Sequence, residues 1–106
     1  MTPRRDWTWV GPLLIALVSI PLALNLIAPN PFYGIRISAT AASEAAWYRG
    51  NQAGGIAGVL AGVLVALANH RVSRTLWSGN RKLVFFAGSM VLVALLIGFA
   101  GTVFAD

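Results

Sequence analysis

Residues 83–105 read LVFFAGSMVLVALLIGFAGTVFA, 23 consecutive positions without a charged side chain. At 1.5 Å rise per residue, about 20 mainly apolar residues cross a hydrocarbon core of roughly 30 Å, so this run predicts a transmembrane helix over about 83–104. Two more such intervals lie upstream, Trp7–Ile35 (29 residues) and Gly50–His70 (21 residues). The charges that separate them are Arg4, Arg5, Asp6, Arg36, Glu44, Arg49, Arg71, Arg74, Arg81, Lys82 and Asp106. Spans follow at about 9–28 and 52–69, the latter diluted by Gly54, Gly55, Gly58 and Gly62.

Composition agrees with the runs. Charged residues are 10% of the 106, against about 25% in a soluble domain, and the mean hydropathy is +0.74. A water-soluble bundle of three such helices would have no charged face to present to solvent. A signal peptide also places basic residues before an apolar run, but Leu26-Ile27-Ala28-Pro29 puts proline at the would-be cleavage point. The net charge of +5 does not point to nucleic acid, because eight basic residues scattered among apolar runs build no face that tracks phosphates. With no Cys there is neither a disulfide framework nor a thiolate metal site.

The fold class is therefore an all-α integral membrane protein, one domain over 1–106. It has three transmembrane helices plus a short interfacial helix, or a helical extension, before the second span, and a motif loop over 29–51. The lipid bilayer is its first partner. Short loops rich in Lys and Arg stay cytoplasmic. Six basic residues on the side of Arg4, Arg5, Arg71, Arg74, Arg81 and Lys82, against Arg36 and Arg49 opposite, place the N-terminus in the cytoplasm and the C-terminus outside. Trp7, Trp9, Tyr33, Trp47 and Trp77 stand where interfacial aromatics belong.

Within the first span, Pro21 predicts a kink, Asn25 a buried amide bonded to a neighbouring helix, and Pro29-Asn30-Pro31 a firm stop. Thr40 or Ser38 is placed to cap a helix beginning near Ala41, with Glu44 in its first turn at the positive end of the helix dipole. That helix either continues into the second span or bends at Gly50 or Gly54-Gly55. If continuous, Glu44, Trp47, Asn51, Gly54, Gly58 and Gly62 share a stripe by steps of three and four. Its lower half is a small-residue seam suited to close helix approach, with Ala87, Ala94, Gly98 and Gly101 of the third span as matching positions. The first span or a second copy would fit the groove equally. His70, the one histidine, reads as an interfacial or helix-end partner.

Chemistry of catalysis is missing from the pattern. Glu44 is the one acid away from the ends, so no general acid–base pair exists. One His without Cys makes no ordinary zinc site, and no Lys follows the glycines to form a phosphate loop. The reading is non-enzymatic, with no catalytic, cofactor or metal site.

The run Pro29-Asn30-Pro31-Phe32-Tyr33-Gly34-Ile35-Arg36, then Ser43-Glu44-Ala45-Ala46-Trp47-Tyr48, then Asn51-x-x-Gly54-Gly55 resembles the SdpI immunity-protein family of bacterial membrane proteins, over about residues 28–60. Asn30, Gly34, Arg36, Glu44, Trp47, Asn51 and Gly54 fall on the family motif. Ile37, Ala39 and Ala45 depart from it, standing where Thr, Pro and a second acid are usual. The resemblance implies a short, single-domain member in a bacterial cell (inner) membrane, acting in immunity to a secreted toxic peptide or in envelope stress. The alternative is an accessory subunit packed against a larger membrane complex. A small transporter or channel is disfavoured, since the spans hold no internal charge. The motif also has a physical reading: Gly34 turns the chain, an Arg36–Glu44 pair pins the loop to the head of the second span, Trp47 packs beneath, and Asn30 or Asn51 bonds the loop backbone.

Overall fold

Every regular element among the described residues, 7–106 of the computed structural model, is helical. Helix α1 spans Val10–Ala23, α2 is a single turn over Ser38–Ala41, α3 runs Glu44–Ser73 and α4 runs Gly79–Val103. Arg4, Arg5 and Asp6, which enter the orientation count and the list of acids, lie outside the described residues. Helices α3 (30 residues) and α4 (25 residues) are long and apolar enough to cross a membrane, whereas α1 is apolar but shorter, at 14 residues.

The first helix, expected to reach about Ala28, stops at Ala23 for a local reason. Asn25 adopts φ 57°, the left-handed conformation that Asn tolerates better than most residues. The Leu26 N–H then bonds the Pro21 carbonyl (2.9 Å) and the Asn25 N–H bonds the Leu22 carbonyl (3.1 Å). These two bonds form a Schellman cap. Asn25 is thus an exposed helix terminator, not the buried interhelical amide expected.

At the next boundary the cap is Ser43, whose hydroxyl accepts from the Ala46 N–H at 3.0 Å. Neither Thr40 nor Ser38 plays that part: Ser38 opens α2, and Thr40 is fully buried in it. From Glu44 onward α3 is unbroken past Gly50, Gly54 and Gly55, so the extension and the second expected span are one helix of about 45 Å. Only five residues, Arg74 to Ser78, connect it to α4, with Ser78 capping the latter through the Arg81 N–H (3.2 Å).

Helix α3 packs against both α1 and α4, and α2 rests on the same assembly, 56 Å long and 20 Å across. On the α1 side, a Cβ at Gly62 would come 2.7 Å from the Pro12 carbonyl and 2.9 Å from Ala16, and one at Gly55 would come 2.5 Å from the Ala23 nitrogen. On the α4 side, a Cβ at Gly50 would lie 2.7 Å from the Gly101 carbonyl. The stripe Gly54-Gly58-Gly62 therefore serves two neighbours: Gly54 meets Ile35 and the Ile97 carbonyl, Gly58 meets Ser19 and Ile97, and Gly62 meets α1. Each four-residue step overshoots a full turn by about 40°, so the stripe winds from one neighbour to the other. Of the small positions proposed on the third span, only Gly101 faces α3. Ala87 and Ala94 are exposed, and Gly98 has nothing within 4 Å of a Cβ. The α4 face that packs carries Lys82, Val93 and Gly101, all buried.

Polar ties run the length of the α3–α4 contact. Arg49 donates to the Ala105 carbonyl (2.9 Å), the Asn69 amide to Ser89 Oγ (3.0 Å) and Lys82 to the Ser73 carbonyl (3.1 Å). Gln52 reaches the Ala23 carbonyl of α1 at 3.3 Å, and Trp9 meets His70 edge-on. The exterior is oily instead. In the most apolar 18-residue window of α4 only 6% is buried, and Leu83, Val84, Leu95 and Phe99 project outward.

Filling the α1 seam is expected to be costly and filling open space is not. Gly62→Leu should destabilise the fold by about 1–3 kcal/mol through overpacking, whereas Gly98→Leu should stay within about 0.5 kcal/mol. Reversible denaturant unfolding in detergent micelles measures both.

Candidate functional site

The motif residues converge where the connector after α1 folds back onto the first two turns of α3. Asn30 organises the connector from within. Its amide donates to the carbonyls of Ala28 (2.8 Å) and Tyr33 (2.9 Å), and its oxygen accepts from the N–H groups of Phe32 (2.9 Å) and Tyr33 (2.7 Å). One side chain thereby replaces the backbone pairing that a proline-flanked turn lacks. The Tyr33 hydroxyl donates to the Val18 carbonyl of α1, close to the Leu17 carbonyl freed by Pro21.

Two α3 side chains then hold the connector down. The Trp47 indole N–H donates to the Ile27 carbonyl at 3.0 Å, and the ring is 4% exposed. Asn51, 2% exposed, accepts from the Ile35 N–H and donates to the Ile35 and Trp47 carbonyls at 3.3 and 3.0 Å. Its amide pairs with Ile35 as a neighbouring β-strand would, satisfying both backbone groups at once. Gly34 is required between them: its φ is +120°, and a Cβ there would lie 2.9 Å from the Trp47 ring and 3.0 Å from the Asn51 oxygen.

Thr40 and Ile35 complete the clamp, a role the sequence did not suggest: it offered Thr40 as a helix cap and Ile35 as part of the motif run. The Thr40 hydroxyl donates to the Ile35 carbonyl (2.7 Å) and accepts from the Ile37 N–H (3.1 Å). Ile35 inserts its side chain between Gly54 of α3 and Gly101 of α4. Its place directly after the turn glycine Gly34, ahead of two glycine-bearing helices, was the available signal.

Arg36 and Glu44 do not form the ion pair expected from sequence. Arg36 donates to the Pro31 carbonyl at 2.8 Å, and Glu44 stays exposed in the first turn of α3. Closing the turn inside the loop directs the guanidinium to its own backbone, while Ser43 anchors the helix start without help from a cation. Both residues instead line a groove of about 540 Å³ between loop and helix, together with Asn30, Thr40, Trp47 and Tyr48. One cation, one anion, an amide and two aromatic rings suit hydrogen bonding to a polar or zwitterionic ligand. They offer no paired acid and base for bond cleavage.

A family model described as the SdpI/YfhL protein family matches residues 26–105, from the connector through α4. No curated protein and no solved structure matches the chain.

Asn51→Leu should cost about 1–3 kcal/mol, because the Ile35 N–H loses its acceptor in a buried place. Faster hydrogen exchange at the Ile35 amide in micelles is the expected readout. In a double-mutant cycle, Arg36→Glu and Glu44→Arg should show coupling below about 0.5 kcal/mol, since the two do not pair.

Proposed function

The chain belongs to the SdpI/YfhL protein family, and from that membership we propose a three-span, non-enzymatic membrane protein whose connector groove recognises a secreted toxic peptide, giving immunity or protection under envelope stress. The observation that carries the reading is the groove itself: Arg36 on a rigidly tied loop and Glu44 at the start of α3 line it without pairing with each other. A rigid loop that sets a cation and an anion along one groove is organised for a ligand, since ordering it on binding costs little.

Three crossings require α1 to span as well. Its 14 residues cover about 21 Å, and Leu24–Ala28 supply the remaining height, with Leu24 and Leu26 exposed. Non-helical backbone at that depth needs its polar groups covered by protein or facing a water-filled cavity. The carbonyls of Ala23, Ile27 and Ala28 accept from Gln52, Trp47 and Asn30, which supports this reading. The groove then opens outside the cell, opposite the basic α3–α4 connector with Arg74 and its neighbours Arg71, Arg81 and Lys82.

A second reading, an accessory subunit of a larger membrane complex, draws on the outer face of α4. Gly88 and Gly98 there meet nothing within 4 Å, beside exposed Ala87 and Ala94.

Deletion of the protein should sensitise cells to a peptide in the medium of toxin-producing kin. Ala41→Trp, which fills the groove, should reproduce the sensitivity at unchanged membrane abundance. Full protection by that variant would remove the groove from the function, and stoichiometric co-migration with a large assembly in mild detergent would favour the subunit. Alkaline phosphatase fused after Ser38 should be active and after Thr75 inactive; the reverse pattern would contradict the outward groove.

A further inference from the structure

A second groove, of about 420 Å³, runs between α3 and α4 and has no part in the clamp. Its walls are Ala53, Ile56, Ala100 and Phe104, and Ile56 and Phe104 are 46% and 60% exposed on the oily exterior. Arg49 and Gln52 stand at one end. The Arg49 guanidinium is held there by two bonds to the Ala105 carbonyl, from Nε at 3.3 Å and Nη2 at 2.9 Å. Those bonds leave Nη1 available, and no acid is among the residues of this groove.

The position of the cation relative to the apolar walls has a direct chemical meaning. Arg49 lies at the level of the α4 C-terminus, and Ile56 lies two turns further along α3, about 10 Å deeper. A fixed guanidinium above an apolar channel matches an amphiphile with its anionic group at the top and a hydrocarbon chain below. We infer that this groove is a binding site for one anionic phospholipid, its phosphate on Arg49 and one acyl chain along Ala53, Ile56, Ala100 and Phe104. Charge decides the class: the first groove is lined by Glu44 as well as an arginine, while the lining of this one includes a cation and no acid, Asp106 beyond the Ala105 carbonyl standing outside it. The inference rests on the membrane reading but not on peptide recognition.

The test uses the full chain in mild detergent with dioleoylphosphatidylglycerol or dioleoylphosphatidylcholine added at equal concentration, and native mass spectrometry to count retained lipid. The phosphatidylglycerol adduct should be favoured about fivefold, the effect of one interfacial cation. Arg49→Gln keeps an amide donor for the Ala105 carbonyl and should abolish the preference, Arg49→Lys should restore most of it, and Ala53→Leu should lower retention of both lipids. Equal retention by the unmodified chain, or an unchanged preference in Arg49→Gln, overturns the site. Dimers that vanish in Ala53→Leu would assign the groove to a second copy and overturn it too. Release of the chain from native membranes by alkaline carbonate would instead defeat the membrane reading itself, a result separable from lipid preference.

Discussion

The fold depends on how closely two helix backbones approach α3 on different sides. Lipid offers no hydrophobic drive between helices, so association comes from packing and hydrogen bonds. Helix α3 supplies both through what it omits and what it adds. Gly55 and Gly62 admit α1, Gly50 and Gly54 admit α4 and the connector, and Gly58 touches both sides. Gln52 and Asn69 then add one polar tie toward each neighbour. The buried apolar set is accordingly small-sided, Ala16, Ala46, Ala61, Ala66 and Ala105 with Val93 and the single large ring of Trp47, while most large side chains face outward. This inverts the arrangement of a water-soluble bundle.

The same closeness builds the groove end. Ile35 seats against Gly54 and Gly101, which brings its backbone within reach of Asn51 and Thr40. Trp47 then closes over Gly34 and bonds Ile27. Motif residues that look from sequence like ligand contacts are thus mostly engaged with backbone. Gly34 and Asn51 position the groove from behind, Asn30 and Trp47 both position and line it, and Arg36 and Glu44 supply its charges. This division explains how a chain with few polar residues presents a shaped polar surface at all.

Charge-free intervals made α3 and α4 legible in the sequence, because the cost of charge in hydrocarbon is blind to packing detail. The membrane class and the family resemblance were legible for the same reason, being carried by composition and by spaced residue types. Helix ends were less so. The left-handed Asn25 ended α1 before the prolines, and Ser43 competed successfully with Thr40 because the latter's hydroxyl was taken by Ile35. The glycine stripe was visible, but its winding across two neighbours depends on where α1 and α4 sit, which one-dimensional spacing does not contain. Arg36 and Glu44 were near enough in sequence to suggest a pair; the tight turn at Gly34 sends the arginine to Pro31 instead.

The central claim is that α3 is gripped on two sides within one chain. The absence of native cysteine makes this directly measurable. Two double variants, Ala23→Cys with Gln52→Cys for α1 and Asn69→Cys with Ser89→Cys for α4, are treated in native membranes with a short thiol-reactive cross-linker. Each pair should link within a single chain, giving a faster-migrating monomer on denaturing gels. Links formed only between chains, or for one pair without the other, would contradict the arrangement.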